Sequence, residues 1–396
     1  MDSPRQSCTN CLCPLPVGVE SGLCEVCSGT PVSASTVSSP AHQFAEDASS
    51  RSMHLSDLPI PTGGFSTTGH FPDARDDAPT ADRPSDPVLT QPHPPGYELL
   101  GEISRGGMGV VYLARSRSRK DLYVAAKYLI DPTNLSGFQR FVVEFKSSPL
   151  KSDHVESVVG GDTDADPPYF FMEVAGGGTL ARLVKKGGPL APALAARWMK
   201  AIAAAVAEVH GRGVIHRDIK PGNILLKRKD GRDAEFVRVK GVPKGDEPPF
   251  DPDDYVPKLS DFGLAKRLDA TRGLTVGSAV MGTLQYMPPE QLRNPQRGDA
   301  DDRVGKRSDI YSLGATLYHL VCGRPPFDHE SQLALMEAVA RKDPPLPSAV
   351  RKDCPPKLEA IIVKAMEKNP RKRYQSAKEL AEDLDRFENE LPTKAP

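Results

Sequence analysis

The 396-residue sequence has no apolar run of about eighteen residues, the length that a helix needs to cross a membrane. Its most apolar stretch, around residues 194–209, is interrupted by Arg197, Lys200 and Glu208. We therefore expect no membrane span. The segment Met1–Pro4 has neither a basic flank nor an apolar core, so the sequence predicts no secretory signal peptide and a cytoplasmic location.

An excess of charge of one sign is also missing, because the formal net charge is -1. Such a balance creates no global field that would attract nucleic acid or an anionic membrane, so we expect neither as a partner. Cysteines are few as well: the chain has seven, and five of them precede residue 28. Clustered cysteines in a chain without an export signal favour metal binding over disulfides.

The first thirty residues contain two Cys-x-x-Cys pairs separated by twelve residues. The cysteines of the pairs are Cys8, Cys11, Cys24 and Cys27. Four thiolates at this spacing can surround Zn²⁺ tetrahedrally, and so short a segment needs a metal to fold. Residues 1–30 are therefore similar to a small zinc ribbon, in which Cys13 is an alternative ligand to Cys11. The other interpretation is a disordered tail with redox-active thiols.

Residues 31–95 are rich in Ser, Thr, Pro, Gly and Asp and have no apolar period. This composition cannot bury enough apolar surface to offset the conformational entropy of the chain. The segment is predicted to be a disordered, flexible linker. Its hydroxyl groups are candidate phosphate acceptors, and plain filler is an equally good interpretation.

The most informative stretch is His216–Asn223, which reads H-R-D-I-K-P-G-N. The Asp218 carboxylate can accept a proton from a hydroxyl group, and Lys220 can neutralise a transferring phosphoryl group. Asn223 offers an amide oxygen to a hard cation such as Mg²⁺. The pattern H-R-D-x-K-x-x-N is long and mostly fixed, and it resembles the catalytic loop of the Ser/Thr protein kinases.

A glycine-rich segment between two predicted strands supports the same resemblance, because glycines let backbone N–H groups approach phosphates closely. The kinase pattern G-x-G-x-x-G-x-V is matched by Gly106, Gly109 and Val111, whereas Ser104 stands where the first glycine belongs. The resemblance implies nucleotide contacts from the whole segment: Ile103, Ser104, Arg105, Gly106, Gly107, Met108, Gly109, Val110 and Val111.

Two further stretches resemble nucleotide-binding parts of the kinase family. Lys127, in Y-V-A-A-K, matches the lysine that contacts the α- and β-phosphates, and Glu144 is its expected partner on the small-lobe helix αC. Pro149 should end or kink that helix. By resemblance, the strand Tyr169–Val174 leads into the hinge between two lobes, with Met172 as gatekeeper. Backbone groups of Glu173 and Val174 would then meet the adenine edge.

The sequence departs from the family between the strand Ile224–Leu226 and the motif Lys258–Gly263, where about thirty residues replace a tight hairpin. Lys229–Gly231 is predicted to turn the chain into a strand over Phe236–Val239. The remainder, Gly241–Pro257, is proline-rich and acidic. We interpret the insert as a surface excursion, with an acidic docking segment as the alternative.

Asp261, in the D-F-G motif, supplies a second metal carboxylate beside Asn223, which suits Mg²⁺. The activation segment that follows carries four hydroxyl residues: Thr271, Thr275, Ser278 and Thr283. Thr283 resembles the structural threonine that bridges toward Asp218 and Lys220. Thr275 and Ser278 are the better candidates for phosphorylation, since Arg217 supplies positive charge that would order a phosphate there.

The chain from about residue 191 onward is predicted to form a mainly helical lobe. Leu194, Trp198, Ile202 and Val206 recur at helical spacing and predict a core helix over 191–210. By resemblance, the segment Ser308–Gly314 opens a buried helix on which Asp309 holds the backbone of the catalytic loop. Arg373 would pair with Glu290.

The resemblance to bacterial Hanks-type Ser/Thr kinases covers Tyr97–Phe387, and it implies a kinase domain over 97–387 followed by a tail over 388–396. The expected fold is α+β and two-lobed, with a small antiparallel sheet carrying αC and a large, mainly helical lobe. The implied cofactors are ATP and Mg²⁺, the implied partners are proteins with Ser/Thr acceptors, and autophosphorylation through self-association is a candidate property.

Two other functions remain open from the sequence. The chain is an ATP-binding pseudokinase scaffold if Ser104 and Pro149 disable catalysis, although all catalytic residues are present. Alternatively, the zinc-ribbon-like segment is the working part and contacts nucleic acid, although it lacks a basic and aromatic surface.

Overall fold

The computed structural model describes residues 94–106, 109–131, 152–242, 249–261, 282–292 and 304–395. The chain divides into two units, 1–91 and 92–396, and all described residues belong to the second. Several predicted features lie outside the described residues: the cysteine pairs, the linker up to residue 93, Gly107, Met108, Glu144, Pro149, Thr271, Thr275 and Ser278.

The N-terminal part of the second unit forms a five-stranded antiparallel sheet in the order β1-β2-β3-β5-β4. Its strands are β1 (Tyr97–Arg105), β2 (Gly109–Ser116), β3 (Tyr123–Leu129), β4 (Val158–Asp162) and β5 (Tyr169–Met172). The predicted small antiparallel sheet is thus confirmed, and β1 lies at one of its edges.

The two faces of this sheet bury different sets of apolar side chains, because successive strand residues point to opposite sides. On one face Ala125 and Leu129 pack with Phe170 and Met172. On the other face a second cluster includes Tyr128, and its remaining buried members are Val110, Ala114, Val124, Ala126, Tyr169 and Phe171. Lys127 shares the first face with Ala125 and Leu129, which directs its ammonium group toward the large lobe.

The large lobe is mainly helical, as expected. Its helices are α1 (Leu180–Gly187), α2 (Pro192–Gly211), α3 (Asp233–Phe236), α4 (Pro289–Leu292), α5 (Lys306–Cys322), α6 (Gln332–Arg341), α7 (Pro347–Val350), α8 (Pro356–Ala365) and α9 (Ala377–Glu388). Helix α2 confirms the core helix predicted from the apolar period. Within the described ranges, no helix combines the length and apolar character that a membrane span requires.

Helix α5 is the central element of the large lobe, since almost all of its residues are buried. It packs closely against α8: a Cβ atom added to Gly314 would lie 2.7 Å from Cβ of Ala365. A helix buried on all sides provides a rigid platform, and Asp309 stands in its first turn.

A two-stranded antiparallel sheet, β6 (Ile224–Arg228) and β7 (Tyr255–Leu259), lies beneath the hinge segment. Ile224 pairs with Leu259, so the residues just before β6 and just after β7 meet at one end of the pair. At the other end the strands are joined by the long insert.

The insert corrects one prediction. Asp233–Phe236 is a short helix, and residues 237–239 are not in a strand. The buried carboxylate of Asp233 accepts hydrogen bonds from the backbone N–H groups of Gly176 and Arg228. These bonds hold the chain against the hinge segment, and a tight β-hairpin would not bring it there.

Candidate active site

Asp309 on α5 holds the backbone of the loop that precedes β6. The two carboxylate oxygens of Asp309 accept the backbone N–H groups of His216, at 2.8 Å, and Arg217, at 2.7 Å. The ring Nε2 of His210 lies 2.7 Å from Oδ2 of the same carboxylate. All solvent is excluded from Asp309, so these hydrogen bonds form in a dry environment and fix the loop backbone. The predicted role of Asp309 is confirmed.

Asp218 is the centre of the hydrogen-bond network in this loop. Nζ of Lys220 lies 3.2 and 3.1 Å from its two carboxylate oxygens. The side-chain amide of Asn223 donates to the backbone carbonyl of Asp218 at 2.7 Å and to its Oδ2 at 3.1 Å. Lys220 also donates to Oγ1 of Thr283 at 3.0 Å, as the resemblance implied. A carboxylate, a cation and an amide are therefore brought within one hydrogen-bond network.

Asn223 and Asp261 are brought to the same end of the β6–β7 pair. The backbone N–H of Ser260 donates to the carbonyl of Asn223 at 2.9 Å, and its hydroxyl donates to the same oxygen at 3.1 Å. Because the Asn223 amide nitrogen is engaged by Asp218, its Oδ1 is the atom left for a cation. An amide oxygen and a carboxylate are hard donors, so this pair fits Mg²⁺.

Lys127 links the small sheet to this end of the large lobe. Its Nζ lies 2.6 Å from Oδ1 of Asp261, and the lysine is 6% exposed. Asp261 has a positive φ of 55°, which few non-glycine residues adopt. The predicted partner Glu144 lies outside the described residues, so the Lys127–Glu144 pair stays a prediction. The observed pair places Lys127 beside one of the two candidate metal ligands.

The described residues of the glycine-rich segment lie at the end of β1 and the start of β2. The N–H of Gly106 donates to the carbonyl of Gly109 at 2.9 Å. Gly109 is required by close backbone approach, since an added Cβ would lie 2.6 Å from the carbonyl oxygen of Tyr128. Ile103 and Val111 pack on the Lys127 face of the sheet, whereas the side chain of Val110 is buried in the opposite cluster.

Glu173 follows β5, where the hinge was predicted. Its N–H donates to the carbonyl of Ser157 at 3.2 Å. Its carboxylate lies between Lys227 and Lys258, with Nζ of Lys258 at 2.7 Å. Burial raises the pKa of Glu173, but the hydrogen bonds from the two lysines outweigh burial and hold the pKa below its usual range. The side chain thus anchors the hinge to β6 and β7, while Val174 beside it is buried.

Asp233, which was not predicted from the sequence as a site residue, contacts the hinge segment. Asp233 binds the N–H of Gly176, with Oδ1 at 2.7 Å, and a Cβ added to Gly176 would lie 2.5 Å from the carbonyl oxygen of Asp233. Burial raises the pKa of Asp233 even though two N–H groups donate to it. The three consecutive glycines after Ala175 were the available signal, because they allow another backbone to approach closely.

The end of the activation segment is tied to the large lobe by a buried ion pair. Nη1 and Nη2 of Arg373 each lie 2.8 Å from a carboxylate oxygen of Glu290, which confirms the predicted pairing. The hydroxyl of Ser308 donates to the same carboxylate at 2.7 Å. Burial raises the pKa of Glu290, but the Arg373 guanidinium outweighs burial and holds the pKa below its usual range.

Among the residues that the structure describes, no group of three or more His, Cys, Asp or Glu side chains is placed to hold a metal ion. The candidate Mg²⁺ ligands do not form such a group, since one of them is an asparagine. The four cysteines predicted to bind zinc lie outside the described residues.

Comparison with known sequences supports the motif-based interpretation. The family model described as "Protein kinase domain" matches residues 97–384. The chain is 33% identical over 318 residues to "Serine/threonine-protein kinase PknB" of Mycobacterium leprae, covering 78% of this chain and 46% of the relative. It is 34% identical over 297 residues to "Probable serine/threonine-protein kinase SCO3848" of Streptomyces coelicolor, covering 73% of this chain and 39% of the relative. The chain thus spans less than half the length of these curated relatives.

Comparison with solved structures supports the fold. The structure of Rad53 residues 1–466 in complex with AMP-PNP has a TM-score of 0.54 to this chain at 21% sequence identity. The match covers 72% of this chain and 64% of the Rad53 chain. Likeness at this identity shows that the two chains share a fold.

Proposed function

Because the chain belongs to the protein kinase family, we propose that it is an ATP-dependent Ser/Thr protein kinase. The observation that carries this proposal is the single network of Asp218, Lys220, Asn223 and Thr283, joined at its edge by the Lys127–Asp261 pair. The fold and the family are shared with its relatives, whereas the activity depends on whether this network transfers phosphate.

In the proposed reaction, Asp218 orients the acceptor hydroxyl and receives its proton late in the transfer. Lys220, 3.1 Å from Oδ2 of Asp218, balances the negative charge that builds up on the transferring phosphoryl group. Thr283 fixes Lys220 from the side of the activation segment. Most of the rate enhancement would come from positioning and electrostatics, since the protein forms no covalent bond to the phosphoryl group.

Asn223 and Asp261 would hold Mg²⁺, which screens the negative charge of the phosphates when bound. Lys127 would contact the phosphates from the small lobe, with Glu144 as its predicted partner. The residues from Ile103 to Val111 would cover the phosphates, and the backbone beside Glu173 and Val174 would meet the adenine edge. Since the Val110 side chain is buried on the opposite face, its contribution would come from its backbone.

Regulation by autophosphorylation is part of the proposal. Arg217 lies beside Asp218, and among the described residues its buried Nε has no hydrogen-bond partner. A phosphate on Thr275 or Ser278 would supply one and would order the activation segment. Transfer between two copies of the chain is the simplest route to such labelling. The cytoplasmic location stays a prediction.

The function is tested by phosphate transfer from radiolabelled ATP with Mg²⁺, using the full chain and its Asp218→Asn variant. We expect wild type to label itself and a basic protein substrate, and the variant to lose at least about a thousandfold in rate with little change in ATP affinity. Mass spectrometry of the labelled chain then identifies the acceptor sites. If both proteins bind ATP and neither labels anything, the pseudokinase scaffold becomes the better interpretation.

We also infer a structural zinc ion in residues 1–30. The support is the spacing of the two cysteine pairs, Cys8 with Cys11 and Cys24 with Cys27. Purified full chain should contain about one zinc per chain, and Cys24→Ser should lose it. A wild-type chain without zinc would leave the redox-active tail as the interpretation.

A further inference from the structure

The insert between β6 and β7 is anchored to the large lobe at its base. Phe250 stacks on Tyr255, with ring centroids 5.2 Å apart, and meets Trp198 of α2 edge-on at 6.3 Å. The guanidinium of Arg228 lies 4.4 Å from the ring centroid of Phe236 and also binds Asp230. Aromatic and cation–π contacts of this kind hold both ends of the insert on the large lobe.

From this base, residues 233–242 run past the hinge segment; we call them the strap. Their first contact is the bond from Gly176 N–H to Asp233, described above. The contact is buried, and Asp233 is only 4% exposed. Because Gly176 has no side chain, the two backbones can approach to a distance that any larger residue would prevent.

The strap then reaches strand β1 of the small sheet. The backbone N–H of Lys240 donates to the carbonyl of Glu102 at 2.7 Å. A Cβ added to Gly101 would lie only 2.3 Å from Cγ1 of Val239, so the strap occupies the space that a side chain at position 101 would need. Strand β1 is an edge strand with unpaired backbone groups, and the strap satisfies one of them.

The strap makes this contact through a β-turn. Val242 N–H donates to the carbonyl of Val239 at 3.2 Å, and Gly241 has φ +78°. Since Lys240 is not among the described residues with positive φ, the turn is type II, with Lys240 at its second position. Proline is common at that position. The turn can therefore keep its shape when the Lys240 N–H group is removed.

Between the strap and β1 lies a cavity of about 560 Å³. Its walls are formed by Glu102, Ile103, Ser104, Arg105, Arg238, Val239, Lys240 and Val242. Three of these residues, Ile103, Ser104 and Arg105, belong to the segment that would cover the nucleotide. A movement of the strap would thus be transmitted directly to the start of the glycine-rich turn.

We propose that the strap positions β1 for ATP binding: it ties β1 to the hinge and the large lobe, and so restricts the opening of the nucleotide cleft. This inference rests on the proposed function, because it concerns the same ATP site. It assigns a positioning role to Val239 and Lys240, within an insert that the sequence predicts to be a surface excursion. The expected signature is slower release of ATP, without a direct effect on the transfer step.

The test compares Lys240→Pro with Lys240→Ala in the full chain. Both variants lose the side chain, whose Nζ is 4.0 Å from Glu102, but only proline removes the N–H group that bonds to β1. Release of a fluorescent ATP analogue should be about 3- to 10-fold faster from Lys240→Pro than from Lys240→Ala, the range expected for one hydrogen bond. The KM for ATP should rise by a similar factor while kcat stays the same. Leu333→Ala, at a site 76% exposed on α6, is the unrelated control.

A second comparison does not depend on proline. Gly101→Ala should speed ATP release, because its new methyl group displaces Val239 and because a residue with a Cβ is strained at the Gly101 φ of +155°. Val239→Ala in the double variant should relieve the part of the effect that comes from the clash. Melting temperatures of all variants show whether each remains folded. Equal release rates for the two Lys240 variants, together with additive effects of the Gly101 and Val239 changes, would overturn the strap proposal. If wild type itself binds no ATP, the proposed function fails instead.

Discussion

Asp309 holds Arg217 in a backbone conformation that non-glycine residues rarely adopt: Arg217 has φ 65°, and its N–H donates to Oδ1 of Asp309 at 2.7 Å. A left-handed residue of this kind costs about 1–3 kcal/mol unless surrounding contacts hold it. This conformation of Arg217 turns the chain just before Asp218, whose carboxylate accepts hydrogen bonds from Lys220 and Asn223. The Asp309 carboxylate therefore contributes to the site by fixing the backbone of His216 and Arg217.

Replacing Asp309 by Asn should release the loop. An amide supplies one acceptor oxygen where the carboxylate supplies two, so one of the N–H groups of His216 and Arg217 would face an NH₂ group. We expect kcat to fall at least about tenfold and the melting temperature to drop, with the Kd for ATP nearly unchanged. Asp121→Asn, at an exposed site, is the matched control. A variant with normal kcat would show that the loop holds itself.

Thr283 should affect catalysis through Lys220. Its Oγ1 accepts from Nζ of Lys220 at 3.0 Å, and hydrogen bonds to charged groups are worth about 1.5–3 kcal/mol. Thr283→Ala should therefore lower kcat about 10- to 100-fold, and Thr283→Ser should restore most of the rate. Steady-state kinetics at saturating ATP measure both. Equal losses in the two variants would assign the effect to the lost methyl group and its packing.

The Glu290–Arg373 pair should be a large contributor to stability once one partner is removed. Both side chains are almost fully buried, so Arg373→Met would leave an uncompensated carboxylate and cost about 3–5 kcal/mol in the free energy of unfolding. The double change with Glu290→Leu should recover part of this loss. Urea unfolding gives the values.

The exposed pair between Lys394 and Glu382, with both side chains 45% exposed, provides the control for that experiment. Lys394→Met should change the free energy of unfolding by less than about 1 kcal/mol, because water screens such pairs. Similar losses for Arg373→Met and Lys394→Met would contradict the importance of burial.

His319 should make the stability of the large lobe depend on pH. Burial lowers the pKa of His319 from 6.5 to about 4, and the Tyr286 hydroxyl oxygen lies 2.6 Å from its Nδ1. The unfolded chain takes up a proton below pH 6.5 and the folded chain does not. The contribution of His319 is therefore complete above pH 6.5 and falls as the pH drops toward 4.

Between pH 7.5 and 5, wild type should lose roughly 2 kcal/mol more than His319→Gln in the free energy of unfolding. Glutamine can still form a hydrogen bond with the Tyr286 hydroxyl, as donor or acceptor, but does not titrate. Urea unfolding at several pH values tests this difference. Parallel curves for the two proteins would show that His319 is accessible to protons in the folded state.

Much of the site was predictable because its residues are close in the sequence or belong to motifs of fixed order. His216–Asn223 carries the carboxylate, the cation and the amide within eight residues, so their chemistry could be inferred without a fold. The core stripe of α2 was likewise set by periodic burial. Even the distant pair Glu290–Arg373 followed from resemblance to a known family.

Other features were decided by tertiary structure, because they depend on which segments meet. The side chain of Glu173 turns to two lysines on β6 and β7, and no local pattern indicates those partners. Phe236 ends a helix where a strand was predicted, since the buried bonds to Asp233 outweigh the local preference. The contact between Val239 and Gly101 joins positions far apart in the chain. The sequence determined which chemical groups the site contains. The packing of the insert against the hinge segment and β1, which depends on tertiary structure, determined how β1 is held at the nucleotide cleft.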